Sequence, residues 1–243
     1  MPDTLVLVAG TGTEVGKTWV TAAVARALRA RGIAVAARKP AQSFAPDDSP
    51  TACDATVLAV ATGEQPDHVC PPHRSYEVPM APPMAAAALG RPAVRLADLV
   101  AELRWPDGVQ VGFVETAGGV RSPQADDGDA TDLARAICPD LVLLVADAGL
   151  GTINLVRLSA DALAGHCLLV ILNRFDAADE LHRRNREWLV ERDGFDVAVS
   201  AGAATDRLLG VGTPRERRDD ESRGEPPRRY VGRSRAASAP WRP

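Results

Sequence analysis

The residues of this chain best equipped for chemistry are its lysines, because there are so few of them. Lys17 and Lys39 are the only two, and the other basic positions among the 28 Lys+Arg are all arginine. A guanidinium is broad and planar, whereas an ammonium is a compact point charge that fits between phosphate oxygens or beside a reacting group. Lys17 stands near the end of Gly10-Thr11-Gly12-Thr13-Glu14-Val15-Gly16-Lys17-Thr18, which follows an apolar run and precedes an alanine-rich stretch at 21–30. A strand, a glycine turn and a helix in that order aim unpaired N–H groups and the positive end of the helix dipole at one point. Lys17 is then placed for the terminal phosphates of a nucleoside triphosphate, and the Thr18 hydroxyl for Mg2+. The spacing departs from the usual G-x-x-x-x-G-K-[ST], since five residues separate Gly10 from Gly16 and three separate Gly12 from Gly16.

Residues 33–39 form a short apolar run stopped by Pro40, which suits a second buried strand with Lys39 at its carboxyl end. Ligands of an open parallel sheet bind beyond the carboxyl ends of its strands, so Lys39 and the glycine turn are expected to face one crevice. Two carboxylates are candidates for the same place. Asp54 comes after a loop rich in Pro, Asp and Ser at 45–50 and opens a helical pattern over 55–61. Glu115 ends the apolar run 111–115, just before Thr116-Ala117-Gly118-Gly119. A carboxylate there is badly placed for packing and well placed to reach a metal on the phosphates; the alternative is a charge solvated at a strand end. Thr18, Asp54 and Glu115 form a hard-oxygen set that suits Mg2+. With no cation between them, the two carboxylates are expected to repel each other.

The elements that must position these groups alternate in type. Apolar runs at 5–9, 33–39, 111–115, 141–146, 167–172 and 196–199 are separated by helical patterns at 21–30, 55–61, 84–89, 96–103, 129–137, 153–163 and 179–191. The proline-rich stretch 66–83 is expected to be irregular. This alternation predicts an α/β fold, a doubly wound and mostly parallel sheet with helices on both faces. At 243 residues, 46% of them hydrophobic, a single domain with a sizeable core suffices, and we place it at 1–211. Residues 212–243 are rich in arginine, acid and proline, with Tyr230, Val231 and Trp241 as their few large apolar groups, and read as a disordered tail. Interleaved acids such as Asp219, Asp220 and Glu221 argue against a nucleic-acid arm.

Cys53, Cys70, Cys138 and Cys167 lie far apart with no C-x-x-C pair, so they indicate neither a zinc site nor a disulfide framework. The net charge of -4 gives no support for nucleic-acid binding. No leader-like segment precedes the first apolar run and no run is long enough to span a bilayer, so the expectation is a cytoplasmic protein that engages neither membrane nor nucleic acid.

Taken in order, the glycine turn at 10–18, Lys39-Pro40-Ala41-Gln42-Ser43, Asp54, Glu115-Thr116-Ala117-Gly118-Gly119 and Gly149-Leu150-Gly151-Thr152-Ile153-Asn154 resemble the dethiobiotin synthetase family. The resemblance runs from about residue 5 to 173. Family members look like G-T-D-T-E-V-G-K-T, K-P-x-x-S-G, V-E-G-A-G-G and L-G-x-I-N. This chain departs at Gly12 for Asp, Phe44 for Gly and Thr116 for Gly, and it lacks the proline-containing segment that commonly closes the nucleotide pocket late in the chain.

The resemblance implies a P-loop NTPase fold and a ligase that joins 7,8-diaminononanoate and CO2 at the expense of ATP, giving dethiobiotin, ADP and phosphate. It implies that Glu14, Val15, Gly16, Lys17, Thr18 and Trp19, with Asp54, Glu115, Thr116, Ala117, Gly118, Asn173 and Arg174, bind ATP, Asn173 reading the adenine edge. Mg2+ is implied on Thr18, Asp54 and Glu115. Lys39 and Lys17 are the implied catalytic residues, Lys39 stabilising a carbamate beside the γ-phosphate. Thr13 and Ser43 would orient the diamine, and Gly151 and Asn154 of the partner subunit in a homodimer would anchor the substrate carboxylate. Plainer roles for Asn173 and Asn154 are a turn residue and a helix cap.

Three other readings stand beside this one. A partition or positioning ATPase of the related deviant P-loop group carries a signature lysine five residues before the P-loop lysine, where this chain has Gly12. An amidoligase of the cobyrinate-diamide type would need a glutaminase domain, for which these 243 residues leave no room. A synthetase relative that has lost activity is the third, because Thr116 puts a β-branched side chain where the family has glycine, which matters most if that position needs positive φ. The compositional break at Gly212 yields a first prediction. Truncation after Val211 leaves the thermal midpoint and turnover nearly unchanged in differential scanning fluorimetry and activity assays, and a large loss of either would make the tail part of the working protein.

Overall fold

A computed structural model describes residues 1–47 and 53–210. The tail expected at 212–243 and part of the loop at 45–50 lie outside the described residues. The chain opens with β1 (Thr4–Gly10), whose seven residues are all buried. A strand covered on both faces has no solvent side, which is why it reads as a continuous apolar run with no alternation. After it come α1 (Lys17–Arg29), β2 (Val35–Arg38), β3 (Gln42–Ser43), α2 (Asp54–Thr62), α3 (Pro66–Val69), β4 (Ser75–Tyr76), α4 (Pro82–Ala88) and α5 (Leu96–Ala101). The second half runs β5 (Val111–Glu115), β6 (Pro123–Ala125), β7 (Gly128–Asp129), α6 (Ala130–Ile137), β8 (Leu141–Asp147), α7 (Thr152–Ala162), β9 (Leu168–Asn173), α8 (Glu180–Glu187), β10 (Val197–Ala198) and α9 (Ala201–Gly210).

Six of these strands form one parallel sheet in the order β10-β9-β8-β1-β5-β2. From β1 the chain moves to β2 on one side, and later to β8 on the other, so the strand order reverses beside β1. That reversal is where open α/β sheets place their ligands. The register sets Val8 beside Glu115 and Gly10 beside Val145. The glycine turn, Glu115 and the residue after Arg38 therefore leave the sheet at the same edge.

Each face of the sheet is covered. Val6, Val8, Phe113, Leu143, Val145 and Ile171 pack with residues of α1, α2 and α9. The alternate residues Leu5, Leu7, Val114, Val142, Leu144 and Leu172 pack with Leu133 of α6 and Val156 and Ala160 of α7. Each fully buried aliphatic or aromatic side chain contributes about 1.5–3 kcal/mol relative to exposure, so this period of two is what holds the layers in register. On α1 the buried set Lys17, Val20, Thr21, Val24, Ala25 and Leu28 recurs every three or four residues. The stripe that docks the helix therefore also carries Lys17 and Thr21 inward.

The strands of the central sheet and most of the helices over it agree with the sequence reading to within a few residues; the short strands β3, β6 and β7 were not expected, and three further differences have physical reasons. The stretch 66–83 is more regular than expected, because Pro66, Pro72 and Pro82 each stand in the first turn of a helical segment, where a missing N–H costs nothing. The helix expected at 179–191 is α-helical only to Glu187 and continues as a π-helical turn over Trp188–Arg192. Helix α9 was not expected from the sequence at all. It buries Ala204, Thr205 and Leu208 against the core, and the Ser200 hydroxyl accepts from the Ala203 N–H at 3.1 Å in the manner of an N-cap. Among the described residues no helix is long and apolar enough to cross a membrane.

Candidate active site

Beyond Gly10 the Thr11 N–H still extends the sheet, donating to the Val145 carbonyl at 2.9 Å. The chain then folds back toward α1 with Glu14 at φ 59° and Gly16 at φ 89°, both left-handed. Gly16 admits no side chain, since a Cβ there would lie 2.1 Å from Asn173 Nδ2. Lys17 Nζ donates to the Gly12 carbonyl at 3.0 Å and the Gly118 carbonyl at 2.7 Å. The ammonium thus ties the glycine turn to the loop after β5. Its partners are neutral, so burial lowers its pKa to about 8, assisted by the charge of Lys39 and opposed by Glu115 and Asp54.

Lys39 leaves the end of β2 with its Nζ 2.7 Å from Asp54 Oδ2 and 2.9 Å from Glu115 Oε1. It also donates to the Thr116 carbonyl at 3.3 Å. Burial disfavours its charge, but the Asp54 and Glu115 carboxylates outweigh burial and hold the ammonium well above the usual lysine range. In turn Asp54 is held below the usual carboxylate range, where burial is overcome by Lys39 and the Thr18 hydroxyl. The expected repulsion between the two carboxylates is therefore absent: an ammonium from the same chain lies between them. Nor is Glu115 a solvated strand-end charge, because its exposure is 0%.

The Thr18 hydroxyl lies 2.7 Å from Asp54 Oδ1 and 2.7 Å from Glu115 Oε1. It has one proton and donates to one carboxylate at a time. Thr21 occupies the far side, its hydroxyl 2.8 Å from Glu115 Oε2 and 2.9 Å from the Lys17 carbonyl, donating to one of them at a time. Thr18, Asp54 and Glu115 thus present hard oxygens at one point, the donor chemistry Mg2+ requires. Among the described residues there is no cluster of three or more His, Cys, Asp and Glu side chains, so phosphate oxygens and water must complete any coordination sphere there.

Thr116 does not carry the strain that its β-branched side chain suggested. It is outside the left-handed region, fully buried, and both its N–H and its hydroxyl donate to the Val8 carbonyl, at 3.0 and 3.2 Å. The positive φ of this loop falls on Gly118 instead, at 65°.

Three cavities lie around the glycine turn, and the first of them reaches this cluster. A cleft of about 520 Å³ is lined by Thr13, Gly16, Lys17, Thr18, Lys39, Ser43, Asp54, Ala117 and Gly118, with Glu14, Gln42 and Arg174. A second, of about 450 Å³, lies between Gly16 and Trp19 on one side and Ile171, Asn173, Arg174, Phe175 and Val199 on the other. A third, of about 380 Å³, opens from Thr13, Glu14 and Ser43 toward Phe44, Pro79 and Met80. Val15, Glu115 and Thr116 stand behind the cleft wall; the Val15 carbonyl accepts from Asn173 Nδ2 at 3.0 Å. Gly151 and Asn154 lie exposed at the start of α7 and do not line these cavities.

The sequence reading missed several supporting groups. Thr21 is one, although its place one turn after Lys17 on a buried helix face was a usable signal. Gln42 is another: its side-chain carbonyl accepts from the Ala55 N–H and its amide donates to Ser75 Oγ, each at 2.9 Å, fixing the start of α2 beside Asp54. Phe175 and Val199, which wall the second cavity, offered no signal beyond being apolar.

A parallel sheet with reversed strand order, a glycine turn opening α1 and an inward lysine define a P-loop nucleotide-binding protein. Residues 4–199 match a family model described as an AAA domain. The signal recognition particle receptor FtsY from Elizabethkingia anophelis in complex with GDP superposes with a TM-score of 0.50 at 15% identity, over 83% of this chain and 58% of that one, a likeness of fold alone. More specific similarity comes from sequence. The ATP-dependent dethiobiotin synthetase BioD of Rhodococcus jostii is 37% identical over 211 residues, 84% of this chain and 88% of that protein. Its namesakes in Caulobacter vibrioides and Caulobacter sp. strain K31 are each 37% identical, covering 71% and 85% of this chain. The chain belongs to the dethiobiotin synthetase family.

The ion cluster generates a prediction that needs no turnover. Lys39→Ala removes the cation between two carboxylates and should cost about 3 kcal/mol, the low end for a broken buried pair because Asp54 reaches solvent. Millimolar Mg2+ should then raise the thermal midpoint of the variant more than that of the parent, measured by scanning calorimetry. Equal Mg2+ responses would mean that these carboxylates do not form a metal site.

Proposed function

We propose that this chain uses ATP to carboxylate and cyclise 7,8-diaminononanoate, giving dethiobiotin, ADP and phosphate in biotin synthesis. The observation that carries the reading is the pair of ammonium groups. The chain's two lysines enter one cleft from different elements, Lys17 from the start of α1 on neutral carbonyls and Lys39 from the end of β2 on carboxylates. Family membership supplies the substrate.

The chemistry proceeds by one amine of the diamine attacking CO2, forming a C–N bond and releasing a proton to give a carbamate. A carbamate oxygen then takes the γ-phosphoryl group, and the bond from that phosphorus to the β-γ bridging oxygen breaks to release ADP. The second amine attacks the carbamoyl carbon, phosphate leaves with the C–O bond pair, and the ureido ring closes with loss of a further proton. Two anions, carbamate and triphosphate, must meet, and their repulsion is the obstacle that fixed positive charge removes. Lys17, near the open cleft and bound only to carbonyls, can exchange those partners for phosphate oxygens. Lys39 keeps its charge at the floor, next to Ser43 and Thr13, where hydroxyls can orient the diamine and carbamate. Thr18, Asp54 and Glu115 would hold Mg2+, which when bound supplies charge neutralisation at the phosphates.

The second cavity suits a nucleoside base. Asn173 commits its amide N–H to Val15, which leaves its side-chain oxygen to accept from an exocyclic amine such as that of adenine, and Trp19 and Phe175 provide aromatic surface. A homodimer is supported by α7 and the turn before it, where Leu150, Leu155 and Leu158 are 91%, 43% and 60% exposed beside Gly151 and Asn154. That apolar face suits a second copy, which would bring the helix start and its unpaired N–H groups to the substrate carboxylate of its neighbour. No membrane or nucleic-acid partner enters this reading, and we place the protein in the cytoplasm.

The decisive assay follows ADP release dependent on both the diamine and bicarbonate, with mass detection of dethiobiotin. Lys39→Arg should abolish turnover while leaving the far-ultraviolet circular dichroism unchanged, because a planar fork cannot occupy the point between two carboxylates. Turnover within about tenfold of the parent, roughly 1.4 kcal/mol in barrier, would sink the point-charge role. ADP release that ignores the diamine would sink the synthetase reading itself.

A further inference from the structure

Gln124, on the hairpin strand β6, is a buried polar side chain to which nothing above gives a task, with 3% of its surface exposed. Both ends of its amide are used on one residue. Its Oε1 accepts from the Ala117 N–H at 2.9 Å and its Nε2 donates to the Ala117 carbonyl at 2.8 Å. Nε2 also donates to the Ser122 carbonyl at 3.0 Å. The side chain therefore stands where a neighbouring strand would stand, pairing with both polar groups of one backbone residue in the loop after β5.

The next residues are fixed from the other side. The Gly119 N–H donates to Ser122 Oγ and the Ser122 N–H to the Gly119 carbonyl, each at 2.9 Å. Between these two clamps lies Gly118, left-handed and with no room for a side chain, since a Cβ would approach Ser122 Oγ to 2.4 Å. Its carbonyl is the one backbone oxygen of this loop that contacts Lys17, at 2.7 Å. With Ala117 held before it and Gly119 after it, the Gly118 peptide has one direction left in which to point its oxygen.

We propose that Gln124 is a positioning residue for Lys17: by clamping Ala117 it fixes the Gly118 carbonyl, and that carbonyl presets the ammonium for incoming phosphate. The inference rests on the nucleotide-binding part of the reading above and not on the identity of the substrate. A glutamine that merely stapled the hairpin would show the same burial, but its loss would not act selectively on one lysine.

The scarcity of lysine makes that selectivity measurable. Protein carrying ¹³C at the lysine ε-carbon gives one signal from each of its two lysines, which a Lys39→Arg sample assigns. Gln124→Met keeps length and volume but removes both hydrogen-bonding ends. It should shift the Lys17 signal by more than that of Lys39, whose longer 3.3 Å contact is to the Thr116 carbonyl of the peptide that Gln124 Oε1 also holds, while the Kd for ATP measured by isothermal titration rises about tenfold because the ammonium is no longer preset. If the Met variant does not fold, Gln124→Glu decides by the same measurements, since it retains the acceptor for Ala117 N–H and sets a charge against two carbonyls. A Lys39 signal that shifts as far as that of Lys17 or further, or an unchanged Lys17 signal with unchanged ATP affinity, would overturn the proposal. Failure of the parent to make dethiobiotin would leave these readouts intact, so the two ideas fail separately.

Discussion

Everything at this edge of the sheet depends on one carboxylate taken out of water. An unpaired charge buried at the end of β5 would cost several kcal/mol, so Glu115 is tolerable only with its full set of partners present. They come from across the fold: Thr18 and Thr21 from α1 and Lys39 from the end of β2, with Asp54 from the start of α2 joined through Lys39 and Thr18. None of these elements is adjacent in sequence to β5. The parallel register that puts Glu115 beside Val8, and the helix face that turns Thr21 inward, are both needed before the side chain can be buried there with its partners. The site is thus a condition on the fold as well as a product of it.

The two lysines divide labour through the identity of their partners. Lys17 touches two carbonyls, which stabilise an ammonium by dipoles alone, and burial pulls its proton affinity down. Lys39 touches two carboxylates, and its proton affinity rises despite deeper burial. An ammonium held by dipoles gains much by exchanging them for phosphate, whereas one held by two anions gains little. Mobility of partnership therefore belongs to Lys17 and permanence of charge to Lys39. The broad planar fork of an arginine would not place a point charge in either space, which fits lysine at these two positions in a chain whose other basic residues are arginine.

How much of this was legible in the sequence follows from the range of the interactions. The strands of the central sheet declared themselves because burial on both faces demands continuous apolar runs, as in residues 5–9 and 141–146. Lys39 and Glu115 were legible because each ends such a run, Lys17 because lysine is scarce and closes a glycine turn, and Asp54 because it opens a helical pattern after a polar loop. What stayed hidden was the pairing among them: that Lys39 would neutralise the two carboxylates depends on the strand order, which places β5 between β1 and β2. Thr21 and Gln124 were hidden for the same reason, since a buried hydroxyl or amide has meaning only through a partner far along the chain. Helix α9 was missed because an alanine-rich stretch after a two-residue strand has weak periodicity, although Ser200 marked its start.

The cluster also constrains how a divalent ion could bind. In most hard-oxygen sites repulsion between carboxylates helps to draw the cation in; here an ammonium 2.7 Å from one carboxylate and 2.9 Å from the other has already relieved it. A metal at Thr18, Asp54 and Glu115 would have to compete with Lys39, so carboxylate attraction alone gives it little net gain. Phosphate oxygens would have to supply the remainder, by offering ligands to the metal and negative charge to the displaced ammonium at once. On this argument the cluster is arranged against binding metal without nucleotide, and the same arrangement would turn the Lys39 charge toward the cleft only when a polyanion is there to receive it. A carboxylate pair without its lysine would lack that discrimination, whatever its affinity for the metal.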